Sequence, residues 1–311
     1  MAKKHLRVPK KTTSLNQKIL GEDYFKNTTL IEEENLQLSK EDKYNIINYL
    51  SQDLLVPNML GEIAVNQTHY LGTVDLFMAA SFEKEHRKEI LNKELILKLK
   101  NFTNFLDIGV GKGEITKFIG KHFSNITLVD NSLESLSNLP NIIGPNNSTV
   151  HKVCGDILTV DVSQIKYDLI LMSHTLYYIV DNSRDFLLEK LYNMLNENGV
   201  VAFVYNDGLG REKMVKHFQG RQEDFYHFIL NSMYEHKNSY ALLSTEIMEG
   251  SKEPMLHVSN MILYDANAKA NISAVSNYLD GICDEDFCQI NMHQNFIFIG
   301  RDSDETLSHS E

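Results

Sequence analysis

The chain has 311 residues, 42% of them hydrophobic, enough to bury one large core or a core with an elaboration. Its 30 Lys and Arg stand against 42 Asp and Glu, a formal net charge of -12, which disfavours nucleic acid and anionic membrane surfaces and suits a small or cationic ligand. No run approaches the roughly 18 apolar residues of a membrane span, and the basic start "MAKKHLRVPKKTT" leads into no apolar signal segment. Cys154, Cys283 and Cys288 are odd in number and have no metal-like spacing, which argues against a disulfide framework and for a reducing, cytoplasmic setting.

Residues 1–42 mix basic and polar types with little periodicity and read as a flexible or loosely docked extension, with a substrate lid as the alternative. Residues 43–100 turn helical: "YNIINYLSQDLL" and then "YLGTVDLFMAASFEKEHRKEILNKELILKLKNF" carry apolar residues at steps of three and four. From Phe105 short β-rich runs alternate with helical stretches: "FLDIGV", "NITLVD", "TVHKVCGDI", "YDLILMS" and "GVVAFVY". Apolar strands separated by helices indicate a parallel sheet covered on both faces. "SYALLSTEIM", a helix around "ISAVSNYLDGI" and a last strand "QNFIFIGR" follow. Residues 101–302 thus read as one α/β domain with an insertion before its final strand, and 303–311 as a disordered tail.

The first strand ends in "LDIGVGKGEIT", with glycines at 109, 111 and 113. This G-x-G-x-G spacing is one residue shorter than the dinucleotide G-x-G-x-x-G fingerprint. Asp107, just before the turn, would repel a pyrophosphate but favours a ligand carrying an ammonium and a sulfonium. Glycine lets a ligand approach the backbone closely and tolerates positive φ. Asp130 ends the second strand, where a carboxylate can accept both hydroxyls of a ribose or cap the helix that begins at "NSLESLSNL".

Together these features resemble the class I S-adenosylmethionine-dependent methyltransferases. The match runs from Asn104 to Tyr205 in family order: "FLDIGVGKG", Asp130, "CGDI" after the third strand, "YDLILMSHTLYYI" at the fourth, and "FLLEKLYNMLNENGVVAFVY" through the fifth. The resemblance implies a Rossmann-like fold with a seven-stranded, mostly parallel sheet, helices on both faces and an N-terminal helical extension. It implies that Asp107, Gly109 and Gly111 line the methionine end of S-adenosylmethionine and that Asp130 holds the ribose. Asn131 and Ser173 join the cofactor contacts, and Asp156 and Ile157 flank the adenine, though Asp156 also suits a simple turn in "CGDI".

In open parallel sheets the ligand crevice lies beyond the carboxyl ends of the strands, which brings "SHTLYYI" to the mouth of the site. "ILMSHTLYYIVD" with "GVVAFVYNDGLGREKMVKHFQGR" is similar to histamine N-methyltransferase and its relatives, as are "YALLSTEIM", "NFIFIGR" and, more loosely, "FEKEHRKEIL". That resemblance implies that Glu85 receives the substrate's ammonium, with Glu83 an equally acidic neighbour, and that Tyr177 and Tyr178 form aromatic walls. A core-packing role for the two tyrosines and a solvated helix face for "EKEHRKE" are the plainer alternatives. His174 stands where that group has a glutamine, and a protonated imidazole would repel a cationic ring.

Methyl transfer from a sulfonium is an in-line displacement from an already activated donor, so positioning, water exclusion and electrostatics carry most of the gain. His174 and Tyr178 are the residues expected to accept the acceptor's proton. No metal is expected: His217, His227 and His236 are far apart, and Ser173 and His174 occupy the place where a magnesium site would want an Asp. The partner expected is a small molecule, an amine or imidazole for N-methylation. An O-methyltransferase, a peptide or protein methyltransferase, and a cofactor-free binding module of the same fold are the alternatives, with an NAD-dependent oxidoreductase more distant.

Overall fold

The computed structural model describes residues 83–143, 148–179, 183–207, 209–218, 228, 236, 238–252, 255–256, 259, 272–284 and 287–301. The expected extension at 1–42, the helical stretch up to residue 82 and the tail at 303–311 lie outside the described residues.

The sheet contains β1 (Asn104–Ile108), β2 (Asn125–Asp130), β3 (Ile142–Ile143), β4 (Ser148–Cys154) and β5 (Tyr167–Ser173). It continues with β6 (Leu195–Asp207), β7 (Ser239–Ser251), β8 (Cys283–Asp284) and β9 (Phe287–Gly300). Their order is β3-β4-β2-β1-β5-β6-β9-β7, with β8 paired to β9. The neighbours from β4 to β6 are parallel, while β9 runs antiparallel to both β6 and β7. Among the described residues the seven expected strands, mostly parallel, are joined by two more. The two additions are short antiparallel pieces: β3 extends the edge beside β4, and β8 turns back on β9.

Alternation along the strands explains why both faces are covered. Leu106, Ile108, Ile170, Met172, Val201, Phe203 and Ile297 point to one face, against Leu187, Leu188 and Leu191 of helix α4 (Arg184–Asn193). Phe105, Leu169, Leu171, Ala202, Phe296 and Phe298 point to the other, where Ile115 and Ile119 of α2 (Glu114–Gly120) pack. The same second face is covered by Leu91, the last residue of α1 (Glu83–Leu91), and by Leu95 of the π-helical turn Asn92–Ile96 that follows it. Further helices among the described residues are α3 (Leu133–Ser137), α5 (Leu209–His217) and α6 (Ile272–Asp280).

Two local findings depart from the sequence reading. β6 starts at Leu195, before the run "GVVAFVY", because Leu195 already pairs with Tyr167 and a register shift follows before Leu169 meets Val200. Cys283 and Cys288 are joined in a disulfide, where an odd cysteine count argued for none. They are direct partners in the β8–β9 register, so strand pairing brings together two thiols that their spacing alone does not link. With that bond, cysteine usage no longer argues for a reducing setting. Among the described residues no helix is long and apolar enough to cross a membrane.

Candidate active site

The carboxyl ends of β1, β2, β4 and β5 converge on one edge of the sheet. There the glycine turn holds Gly109, Gly111 and Gly113 at φ values of 75°, 51° and 73°. The Gly109 amide donates to Val129 O at 2.8 Å, which fastens the turn to β2. A Cβ at Gly109 would collide with the Thr175 side chain, whereas a Cβ at Gly111 would meet no atom within 4 Å. Gly109 is therefore needed for packing, and Gly111 faces open space where a ligand can lie against the backbone. The Thr175 hydroxyl donates to Ile108 O at 3.0 Å and so locks the segment after β5 onto the turn.

Asp130 ends β2 at this edge. Its carboxylate accepts the Ser132 amide at 2.7 Å and the Gly111 amide at 3.3 Å. The helix cap expected of Asp130 belongs instead to Ser132, whose hydroxyl accepts the Ser135 amide at 3.1 Å. Asp130 thus organises both the loop after β2 and the glycine turn while remaining partly exposed.

Asp107 lies deeper, only 3% exposed, and accepts the Thr116 hydroxyl at 2.5 Å. Burial, reinforced by the negative charge of Asp130, pushes its carboxyl up to about 7, against the Thr116 hydrogen bond and the Arg87 guanidinium. Arg87, on α1 and only 6% exposed, donates from Nη1 to the Ser173 hydroxyl at 3.3 Å. The first described helix therefore delivers a buried cation to the ends of β1 and β5. Sequence reading weighed only the acids of "EKEHRKE". The signal for Arg87 was present as its position four residues before Leu91, the first buried residue of the helix's apolar face, but a single cation on a charged helix is not selective.

The other expected cofactor residues are spread around the same edge. Asn131 is exposed, and its carbonyl accepts the Cys154 thiol. Asp156 makes the turn its alternative reading described: its side chain accepts the Leu158 amide at 2.9 Å. Ile157 is buried in the core, and its carbonyl accepts Lys190 Nζ at 2.7 Å. Glu85 lies on α1 in the same turn as Arg87, but its side chain and that of Glu83 are outside the described residues.

On the candidate acceptor side, Leu176–Tyr178 form a single 3₁₀ turn. Tyr178 is 52% exposed, while Tyr177 is partly buried and exchanges hydrogen bonds with the Asn206 main chain, its hydroxyl donating to Asn206 O at 3.2 Å. His174 holds φ 57°, a left-handed conformation, and its ring stacks near Tyr177 with centroids 6.2 Å apart. Gln294, from β9 and fully buried, brings Nε2 to 3.4 Å from His174 Nε2. No sequence signal singled out Gln294, because it reaches His174 only through the antiparallel return of β9. Among the described residues no three His, Cys, Asp or Glu side chains cluster as a metal site.

Residues 105–199 match the family described as a methyltransferase domain. Together with the sheet order, the match makes this segment a class I methyltransferase domain with the Rossmann-like fold. Over 158 residues the chain is 27% identical to a carboxy-S-adenosyl-L-methionine synthase of Ruthia magnifica subsp. Calyptogena magnifica, an overlap of 50% of this chain and 62% of that protein. It is also 27% identical over 127 residues to phosphoethanolamine N-methyltransferase 1 of Zea mays, covering 40% of this chain and 25% of the relative. The chain thus spans less than two thirds of the length of these curated relatives. The N-methyltransferase NodS of Bradyrhizobium japonicum WM9, solved with S-adenosyl-L-homocysteine, aligns at 15% identity and a TM-score of 0.43, over 70% of this chain and 87% of its own.

The residues fit such a cofactor on two observations. Gly111 leaves the turn open to a ligand, and the Asp130 carboxylate sits beside it at hydroxyl-accepting reach of the same space. Behind the turn, Arg87 offers a buried cation and Asp107 a carboxyl pushed up to about 7, which carries its charge above that pH.

Proposed function

We propose that the protein is an S-adenosylmethionine-dependent methyltransferase that N-methylates a small amine or imidazole. The observation that carries the cofactor reading is the Gly111–Asp130 contact at the end of β1 and β2, inside the segment that matches the methyltransferase family. When bound, the cofactor supplies a methyl group on an activated sulfonium, open to in-line displacement.

The chain's own residues have divided tasks in this reading. Asp130 accepts ribose hydroxyls, with Asn131 beside it, and Asp156 and Ile157 border the adenine. Gly109 and Gly111 let the ligand lie on the backbone. Arg87 suits the amino-acid carboxylate and Asp107 its ammonium, with Ser173 beside them on the Arg87 guanidinium. On the acceptor side, Tyr177 forms a wall, Glu85 attracts an ammonium, and His174 and Tyr178 are the two groups able to take a proton.

The narrower likeness to the histamine N-methyltransferase group rests on Leu176-Tyr177-Tyr178 and the acids of α1. The name of the phosphoethanolamine relative supports an amine acceptor more generally. Two measurements test the proposal. Thermal denaturation with S-adenosylhomocysteine should show stabilisation, and a labelled-methyl assay should show transfer to primary amines or imidazoles in preference to phenols and peptides. Stabilisation with transfer only to phenols or a peptide would move the assignment to those acceptors. Absence of both stabilisation and transfer would leave a binding module. His174→Ala and Tyr178→Phe should each lower kcat/KM at least about tenfold, and two variants within about twofold of the parent would remove both residues from the acceptor side.

A further inference from the structure

Gln294 is the only amide side chain among the described residues that is fully buried while touching a candidate acceptor-side group. Its Nε2 lies 3.4 Å from His174 Nε2, and its Oε1 is buried without a hydrogen-bond partner among the described residues. An amide oxygen left unpaired in a protein interior forfeits its hydration without replacement, so such a group calls for an explanation. His174 carries a second cost. A side-chain-bearing residue at φ 57° is strained, and strain of this kind collects at functional sites. Both costs meet at one point, beside the carboxyl ends of β5 and β6, where His174 N donates to Val204 O and Gln294 pairs in register with Asn206.

From these observations we infer that Gln294 is the acceptor-specificity residue of this site: it holds His174 as a neutral imidazole with its proton on Nδ1, and offers its own Oε1 to an N–H or O–H donor of the methyl acceptor. The inference rests on the acceptor-side reading above and narrows it: of the two groups named there as able to take a proton, it leaves that task to Tyr178 and gives His174 recognition instead.

The chemistry follows from the hydrogen-bond inventory. The amide –NH₂ can only donate, so the ring nitrogen facing it must present a lone pair, and the ring proton must lie on Nδ1. With Nε2 engaged, His174 has no second lone pair to act as a base. It becomes a recognition group that donates from Nδ1, and Tyr178 or solvent is left to take the proton. Gln294 Oε1, already dehydrated, then gains its missing hydrogen bond only when an acceptor with a donor group arrives. An acceptor lacking that donor leaves Oε1 unpaired and is selected against.

The test is ¹⁵N–¹H imidazole spectroscopy on the full chain, with and without S-adenosylhomocysteine, using His174→Ala to assign the resonances. The expected result is a neutral His174 protonated on Nδ1, changing to a mixture or to Nε2–H in Gln294→Leu. Gln294→Glu, whose carboxylate can only accept, should drive the proton to Nε2. A parent protein protonated on Nε2, or a tautomer unchanged by Gln294→Leu, overturns the inference. If Gln294→Leu fails to fold, Gln294→Met carries the same comparison at similar volume.

Kinetics with the amine that accepts methyl give the second readout. Gln294→Leu should raise KM about tenfold with kcat little changed, the pattern of lost recognition. A fall in kcat at constant KM overturns it. Because the tautomer is read without the cofactor as well, failure of this inference stays distinguishable from failure of the methyltransferase reading, which shows as lack of stabilisation by S-adenosylhomocysteine.

Discussion

At the scale of single residues, Asp107 sets the pH behaviour. Its carboxyl is pushed up to about 7 by burial first and by Asp130 second. Because an unfolded aspartate titrates near 3.9, the folded protein holds one more proton than the unfolded chain between about pH 4 and about pH 7. Stability contributed by this group is full below that window and falls as pH rises through it. Asp107→Asn should remove the slope. Urea midpoints compared at about pH 5 and about pH 8 should separate for the parent more than for the variant, and parallel midpoints would show that Asp107 is not the titrating group. Asp130 makes a different prediction. Its carboxylate serves two backbone amides as well as the proposed ribose, so Asp130→Ala should weaken S-adenosylmethionine binding by about tenfold or more in calorimetry. Unchanged affinity would take the ribose role away from it.

At the scale of elements, the glycine turn separates packing from binding. Gly109 combines a positive φ with contact against Thr175, so Gly109→Ala should destabilise the fold by about 1–3 kcal/mol or more. Gly111 has the positive φ but no neighbour in the way, so Gly111→Ala should cost only about 1 kcal/mol while reducing stabilisation by S-adenosylhomocysteine. Thermal melts of both variants with and without that ligand check the pair, and a larger ligand-free loss at Gly111 would contradict the assignment. The β8–β9 turn adds a covalent element. The bond between Cys283 and Cys288 closes a sequence separation of 5, and a short loop of this kind stabilises by about 2 kcal/mol in the chain-entropy account. Cys288→Ser should lower the melting temperature by a few degrees without touching cofactor binding.

At the scale of the whole molecule, the two faces of the sheet have different duties. One is closed by α4 around an apolar core, and the other is closed by α2, α1 and the turn after it, which also carry Thr116 and Arg87 to the site. A cofactor that binds only the folded state stabilises it by RT ln(1 + [L]/Kd), about 2.7 kcal/mol at a hundredfold excess over Kd. The thermal shift with S-adenosylhomocysteine therefore reports on the complete edge, from Arg87 on α1 to Ser173 on β5. Arg87→Ala should diminish that shift while leaving a folded domain, since Arg87 contacts the site from outside the sheet.

The fold and the cofactor edge were legible in the sequence because both are local. A buried parallel strand announces itself as an unbroken apolar run, a tight turn as glycines at fixed offsets, and an acid beside that turn as an aspartate at a strand end. "FLDIGV", "NITLVD" and "YDLILMS" became β1, β2 and β5 for that reason, and the glycine turn and Asp130 meet at the adjoining ends of β1 and β2. The long antiparallel return of β9 and the register shift in β6 were not legible, since pairing partners far apart in sequence decide them. The same holds for Arg87 against Ser173, Thr175 against Ile108, Cys283 against Cys288, and Gln294 against His174. Sequence by itself determined the class of the domain and the sheet edge where the glycine turn and Asp130 meet, through periodicity and turn chemistry acting over a few residues. Tertiary structure alone decided which polar side chains gather around His174, because their neighbours come from strands and helices up to 120 residues away.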